Sequence, residues 1–309
     1  MIEKFLVTGG CGFIGSHLVE SLNSDGHSVW VIDDLSTGQV SNLAEANVLN
    51  NLIQARVEDV DLLKLGQFNC VFHLAAQASV PVSVKNFYES SSTNILSALK
   101  VIDYCKATST PLIYASSSAI YGNLPIGDDS HGVDLCSPYS ADKLVSEIYC
   151  DIAYKLYNLP SFGLRFFNVY GPRQDPKNPY SGVIPIFTDQ ILKGLPINIH
   201  GGYQTRDFIY IKDVVRGIRR AYEYLQKNPV STVTNLLSGN SVSIDELANI
   251  LIHLTGNNVE KIYQELLAGD TMYSIGKTDK MRGLLNLNDF VSLEDGLSEF
   301  LLWMKKSYE

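Results

Sequence analysis

The chain of 309 residues has no excess of positive charge: 24 Lys and Arg stand against 33 Asp and Glu, a net charge of −9. No basic tail or stripe is present, which excludes a nucleic-acid backbone as partner. No apolar run reaches the length of about 18 residues that a membrane-spanning helix needs, so no membrane partner is expected. The N-terminus lacks a charged leader with a long apolar stretch and a small-residue cleavage site; Ile2 to Val7 reads as a strand instead. Cysteine is scarce. Cys11, Cys70, Cys105, Cys136 and Cys150 form no C-x-x-C pair and read as reduced thiols in core or helix positions of a cytoplasmic protein. The histidines, at 17, 27, 73, 131, 200 and 253, show no metal-ligand spacing, and no metal is expected. Repeats and low-complexity tracts are also missing. What remains is a 45% hydrophobic chain, enough to bury a large core in two lobes.

The first half alternates strand-like and helix-like segments. Lys4–Thr8, Ser28–Ile32, Gln54–Val57, Cys70–Leu74, Leu112–Ala115 and Ser161–Phe166 read as strands. Between them, Ile14–Asn23, a long segment through Asn94, Leu99 and Ile102, and Ala141–Tyr157 carry helical patterns. Such alternation predicts an α/β fold, a Rossmann-type doubly wound parallel sheet whose ligands sit at the carboxyl ends of the strands. The second half differs. Gly171–Pro185 reads as a loop, followed by a strand at 197–201 and helices at about 211–226, 243–255 and 293–305. The expected division is a dinucleotide-binding domain over 1–170 plus about 207–238, and a smaller α/β substrate-binding domain over about 171–206 and 239–309.

The stretch T-G-G-C-G-F-I-G (8–15) lies between the first strand and the first helix. It matches both G-x-G-x-x-G (Gly10, Gly12, Gly15) and G-x-x-G-x-x-G (Gly9, Gly12, Gly15). Glycine permits the tight turn and lets backbone approach a pyrophosphate, and the helix start points free N–H groups at the anion. Asp33 follows about 20 residues on, at the end of the second strand. A carboxylate there accepts from an adenosine ribose and repels a 2′-phosphate, which favours NAD over NADP.

In S-P-Y-S-A-D-K (137–143), Tyr139 and Lys143 are four apart on a helix and share a face. A free phenol, with a pKa of about 10, is too weakly acidic to act as a base at neutral pH. An adjacent ammonium favours the phenolate. Y-A-S-S-S-A-I-Y-G (114–122) closes the fifth strand at its carboxyl end, where a hydroxyl can relay a proton to Tyr139.

These motifs, with V-I-D-D-L-S-T-G (31–38), V-F-H-L-A-A-Q-A-S-V-P (71–81), L-R-F-F-N-V-Y-G-P-R (164–173), S-G-V-I-P (181–185) and Q-T-R-D-F-I-Y-I (204–211), make the chain resemble the extended short-chain dehydrogenases/reductases of the nucleotide-sugar epimerase/dehydratase family, and within it the UDP-sugar 4-epimerases. The match spans nearly the whole chain, more loosely after about 255. The resemblance implies that Gly9, Gly12, Phe13, Ile14 and Gly15 cradle NAD. Asp33, Ser36, Thr37, Gly38 and Val57 would hold its adenosine end, and Leu74, Ala75 and Ala76 would run beneath it. It implies Tyr139 as base, Lys143 as its electrostatic partner and ribose holder, and Ser117, four before Tyr121, as the relaying hydroxyl. Ser79 and Ser118 would touch the sugar, Asn168 and Arg206 the diphosphate, Val183 a substrate loop, and Asn198 the nucleobase edge. Family members that dehydrate or decarboxylate carry acidic residues after the hydroxyl; Ser118 and Ala119 here point to oxidation and re-reduction at one carbon. The sugar gate, four after Asp270 of a Gly-Asp pair, is Ser274, small enough to admit an N-acetyl group. The implied activity is thus UDP-GlcNAc/UDP-GalNAc interconversion through a 4-keto sugar. The rival enzyme acts on UDP-glucose and UDP-galactose, and the rival class is a non-catalytic NAD-binding sensor. Leu267 stands where many epimerases have a phosphate-gripping arginine, for which Lys261 could compensate, and Arg56 where an acid usually lies near adenine. By the same resemblance, helices near 88–107 and 141–157 would join two copies into a homodimer.

Overall fold

The structure is a computed structural model that describes residues 1–46, 48–176, 182–266 and 271–308. The chain begins with β1 (Lys4–Thr8), α1 (Phe13–Ser24), β2 (Ser28–Asp33), β3 (Leu52–Gln54), β4 (Cys70–His73), α2 (Val80–Lys85) and α3 (Phe87–Thr108). It continues through β5 (Leu112–Ser117), α4 (Pro138–Tyr157), β6 (Ser161–Phe166), β7 (Asn168–Tyr170), α5 (Val183–Leu192), β8 (Ile197–His200) and β9 (Thr205–Tyr210). The remainder is α6 (Ile211–Lys227), β10 (Ser231–Leu236), β11 (Ser241–Ser243), α7 (Ile244–Thr255), β12 (Lys261–Gln264), β13 (Tyr273–Ser274), α8 (Asp279–Leu285) and α9 (Leu293–Lys306).

Seven parallel strands form the central sheet, in the order β10-β6-β5-β4-β1-β2-β3. Strands buried on both faces must be apolar almost throughout, and β4 (CVFH) and β6 (SFGLRF) are buried at every position. Alternate residues of β1 serve opposite layers. Phe5 and Val7 join Leu18 of α1 and Val214 and Ile218 of α6, whereas Leu6 joins Val101 of α3 and Ala153 of α4. The chain winds outward from β1 to β3 and returns to β4 beside β1. The strand order therefore reverses between β1 and β4, and the crevice for a ligand lies beyond their carboxyl ends.

A smaller arrangement surrounds β9, which pairs antiparallel with β11 and parallel with β7 and β13. β8 and β12 form a separate parallel pair. Several boundaries differ from the sequence expectation. The third strand is Leu52–Gln54, not Gln54–Val57, and Val57 instead opens a 3-10 turn with its side chain in the core. The expected loop over Gly171–Pro185 ends at Gly182, because Val183 starts α5. Pro185 fits within that first turn, where backbone N–H groups have no intrahelical acceptor to lose. β10 was not foreseen as a strand. Its polar Thr234 and Asn235 are buried, yet Asp129 accepts from the Thr234 hydroxyl at 2.8 Å and from the Asn235 backbone N–H at 3.2 Å.

Among the described residues, no helix is long and apolar enough to cross a membrane and no cluster of three or more His, Cys, Asp or Glu could hold a metal. All five cysteines are free thiols, Cys136 alone being exposed.

Candidate active site

The glycine turn follows β1 directly. Gly9 adopts φ +70°, and a Cβ there would stand 2.7 Å from the Ala75 backbone nitrogen after β4. Glycine alone lets the two strand ends come this close. A Cβ on Gly15 would lie 2.1 Å from the Gly9 carbonyl oxygen, so glycine also sets how tightly α1 packs on the turn. Gly12 caps α1 without a side-chain bond, and the first turn contains no acidic residue. Phe13 and Ile14 are the first two residues of that helix. Its positive end therefore faces the crevice uncompensated, as an anion requires.

Asp33, at the end of β2, is buried and accepts from the Cys11 backbone N–H at 2.8 Å and the Leu35 N–H at 2.9 Å. Burial raises its pKa, and these backbone donors partly offset the rise. Ser36 and Thr37 are exposed, and Gly38 packs where a Cβ would meet the Cys11 backbone at 2.8 Å. Leu74, Ala75 and Ala76 follow β4 as partly buried residues. The Ala75 N–H donates to Thr8 Oγ1 at 3.3 Å, and that hydroxyl lies 2.8 Å from His73 Nδ1. Burial, with Lys143 adding to it, drives the His73 pKa down to about 3, so this ring is neutral.

The start of α4 explains how Tyr139 is aimed. Ser137 and Ser140 form a capping box, Pro138 takes the first helical position, and Tyr139 N–H donates to Ser83 Oγ of α2 at 3.2 Å. The sequence reading began this helix at Ala141; the cap moves the start to Pro138 and places Tyr139 in the first turn. Lys143, one turn on, donates to the Ala115 carbonyl at 2.9 Å and lies 5.7 Å from the Tyr139 ring centroid. Burial lowers the Lys143 pKa to about 8, with the Asp142 carboxylate opposing the shift. Burial raises that of Tyr139, while the neighbouring Ser117 hydroxyl lowers it. Ser117 ends β5 and caps the 3-10 turn Ser118–Tyr121, its Oγ accepting from the Ala119 N–H at 3.1 Å. Ser117, Tyr139 and Lys143 are thus brought together at the carboxyl end of β5.

Residues to which the sequence reading gave no role support this group. Glu147, a further turn along α4 from Lys143, takes Ser116 Oγ and a two-pronged contact from Arg165 of β6, at 2.9 and 2.7 Å. Arg165 also donates to Tyr121 Oη at 2.8 Å, and Tyr121 donates to Asn235 Oδ1 of β10 at 2.6 Å. The i, i+4, i+8 spacing of Tyr139, Lys143 and Glu147 was the signal available in the sequence.

On the smaller sheet, Asn168 Nδ2 donates to the Asp207 carbonyl at 2.9 Å and to Ser274 Oγ at 3.0 Å. Ser274 lies opposite Arg206 in the β13–β9 register, and Arg206 donates to the Thr205 and Thr271 carbonyls. Asn168, Arg206 and Ser274 are therefore assembled. Asn198 is not part of that sheet: it is an exposed residue of β8, opposite Ile262 of β12. Ser79 caps α2, accepting from the Val82 N–H at 3.3 Å, and Ser118 is half-buried. Val183 is the first residue of α5. Asp270 and Leu267 lie outside the described residues. Lys261 pairs with Asp245 at 2.9 Å, and Arg56 with Glu58 at 2.9 Å.

The family model for the NAD dependent epimerase/dehydratase family matches residues 5–236. The chain belongs to that family. It is 35% identical to a putative UDP-glucose 4-epimerase of Methanocaldococcus jannaschii, with 98% of each chain covered. Among solved structures, it resembles the UDP-N-acetylglucosamine 4-epimerase of Methanobrevibacter ruminantium, in complex with UDP-N-acetylmuramic acid, with a TM-score of 0.93, 35% identity and 99% of each chain covered. It likewise resembles the UDP-glucose 4-epimerase of Thermotoga maritima, with UDP-glucose, with a TM-score of 0.92, 34% identity and 99% of this chain and 100% of that one covered. Other relatives are named as a decarboxylase and a dehydratase. The cofactor is NAD. The turn fits it: the glycines let β1, the turn and α1 pack closely without side chains between them, and the open end of α1 can meet a diphosphate.

Proposed function

We propose that the chain is a cytoplasmic 4-epimerase of UDP-sugars that interconverts UDP-GlcNAc and UDP-GalNAc. The observation that carries this reading is Tyr139 and Lys143 one turn apart on α4, with Lys143 bonded to the β5 strand that ends in Ser117, and no carboxylate in Ser118-Ala119. An elimination or decarboxylation would want an acid or base there, an omission worth about 10²–10⁴ in rate. The names of the relatives support a UDP-sugar as substrate class. They also favour a second reading, the interconversion of UDP-glucose and UDP-galactose.

In this reading Tyr139 takes the 4-hydroxyl proton, directly or through Ser117, and later returns it to the same oxygen. NAD, when bound, would supply the hydride acceptor at C4 and then the hydride donor to the opposite face of the 4-keto carbon. Lys143 would offer its positive charge to the phenolate and a hydrogen bond to the nicotinamide ribose. Gly9, Gly12, Gly15 and Asp33 would hold the dinucleotide. Asn168 and Arg206 hold the substrate diphosphate, and Ser274 leaves room for the acetamido group. Residues 1–170 with 207–238 would serve the cofactor, and 171–206 with 239–309 the sugar nucleotide. We also propose a homodimer through α3 and α4, which expose Tyr88, Leu96, Ile148, Ile152 and Leu156. Sedimentation giving a monomer at micromolar concentration would remove that assembly.

The test is NMR of UDP-GlcNAc and UDP-glucose, each incubated with the enzyme without added reductant. Formation of UDP-GalNAc is the expected result. Formation of UDP-galactose without UDP-GalNAc would establish the second reading, and no epimer from either would refute both.

A further inference from the structure

Asp142 sits between the two residues of the catalytic pair and is only 3% exposed. Carboxylates are rarely buried to this degree unless a cation bonds to them. Its hydrogen bond comes instead from a neutral amide, Asn94 Nδ2 of α3, at 3.0 Å. The same Asn94 reads the backbone of Gln77, accepting from its N–H at 2.8 Å and donating to its carbonyl at 3.2 Å. Gln77 directly follows Leu74–Ala76. Through Asn94, then, the carboxylate ties the catalytic helix to the segment leaving β4.

We propose that Asp142 is a positioning and charge-balancing residue for the Tyr139–Lys143 pair. This rests on the reading of those two as base and partner. The surrounding groups leave the role to Asp142. From the neighbouring elements, His73 of β4 is neutral, Tyr114 of β5 and Cys150 of α4 are buried acids with raised pKa values, and Glu147 of α4 is bonded to Arg165 of β6. Tyr121 shares that arginine. α2 and α3 present Ser83 and Asn94, while their Lys85, Glu89, Asp103 and Lys106 are exposed. Asp142 is the anion of this group that no cation bonds in the described interactions. A fixed negative charge favours the protonated form of both neighbours. It opposes the loss of the Lys143 proton that burial favours, and it opposes ionisation of Tyr139.

Removing the charge must therefore move both ionisations in one direction. In pH profiles of kcat/KM, Asp142→Asn should shift both limbs, which together report Tyr139 and Lys143, downward, each by about one pH unit. Asp142→Ser, a second neutral variant, should do the same, and Asp142→Glu should restore both limbs. A purely structural Asp142 would lower the height of the profile and leave the limbs in place, which would overturn the proposal. If the neutral variants are inactive, the tyrosinate absorbance of the ligand-free protein decides, read as the difference from the matching Tyr139→Phe protein. The phenol midpoint should fall in Asp142→Asn, and an unmoved midpoint also overturns the proposal. Full activity in Tyr139→Phe alone would instead break the underlying reading of the pair.

Discussion

The two halves of the site are built by different means. On the cofactor side, backbone defines the shape: two strand ends held in contact by Gly9, a helix start bared by Gly12, and a catalytic helix fastened at its cap. On the smaller sheet, short strands of two to six residues are braced by side-chain bonds, Asn168 to Ser274 and Asp207 to the Ser238–Gly239 turn. A shape fixed by backbone tolerates little change, whereas one fixed by side chains can be altered a residue at a time. Substitutions on the first side should abolish turnover or stability, and those on the second should redirect it.

The largest effect is expected from Tyr139→Phe, which removes the proton acceptor and leaves the ring. Turnover should fall by about 10²–10⁴, the range for a general base. NAD released on denaturation, read by its ultraviolet spectrum, should be unchanged. Retained turnover would end the role of Tyr139. Next comes Glu147→Gln. Arg165 would stay buried without its counter-charge, a loss of about 3–5 kcal/mol. Urea denaturation of the NAD-free protein measures it. A loss under about 1 kcal/mol would mean that the pair is not what braces this side.

Asp207 tests the other half. It is 1% exposed, and its carboxylate accepts from the Ser238 N–H and hydroxyl and the Gly239 N–H. Burial nevertheless raises its pKa to about 6, from 3.8. With the folded value above the unfolded one, the native state binds the proton more tightly between those values. The group's contribution to stability is therefore fully present below pH 3.8 and lost as pH rises through about 6. Asp207→Asn does not titrate. Its stability deficit relative to the parent should shrink as pH rises from about 4 to about 6, by on the order of 2 kcal/mol. A deficit that grows over that window would contradict the direction of the shift.

The same contrast governs what the sequence could reveal. The parallel sheet and the glycine turn were legible because their requirements are local: apolar runs, fixed spacing, and glycine where a Cβ cannot fit. β10 was not, because Thr234 and Asn235 look polar until Asp129 is seen to satisfy them. α5 hid behind Pro185, which reads as a breaker and sits where a helix tolerates it. His73, Asn94, Asp142 and Arg165 escaped as site residues because nothing in their spacing announces them. Their significance comes from burial, which arises only when α3 packs on α4 and β6 lies beside β5. Asn198 shows the converse: the strand was foreseen, but its partner is β12, and pairing across such a distance in sequence leaves no local mark.

The most sensitive comparison of the two halves is Ser274→Tyr. Ser274 meets Asn168 by one hydrogen bond and pairs with Arg206 in register, so the change adds bulk without touching the glycine turn or α4. If Ser274 admits the acetamido group, kcat/KM for UDP-GlcNAc should fall by about tenfold or more relative to UDP-glucose, in the range of steric discrimination by a pocket. Turnover of the smaller sugar should persist, because the proton and hydride chemistry lies on the other side. Equal losses for both sugars would mean that Ser274 braces the sheet through Asn168 and does not read the 2-substituent. An unchanged ratio with unchanged rates would move the selectivity elsewhere. Only a change in ratio with the smaller sugar still turning over would separate a shape made by side chains from one made by backbone.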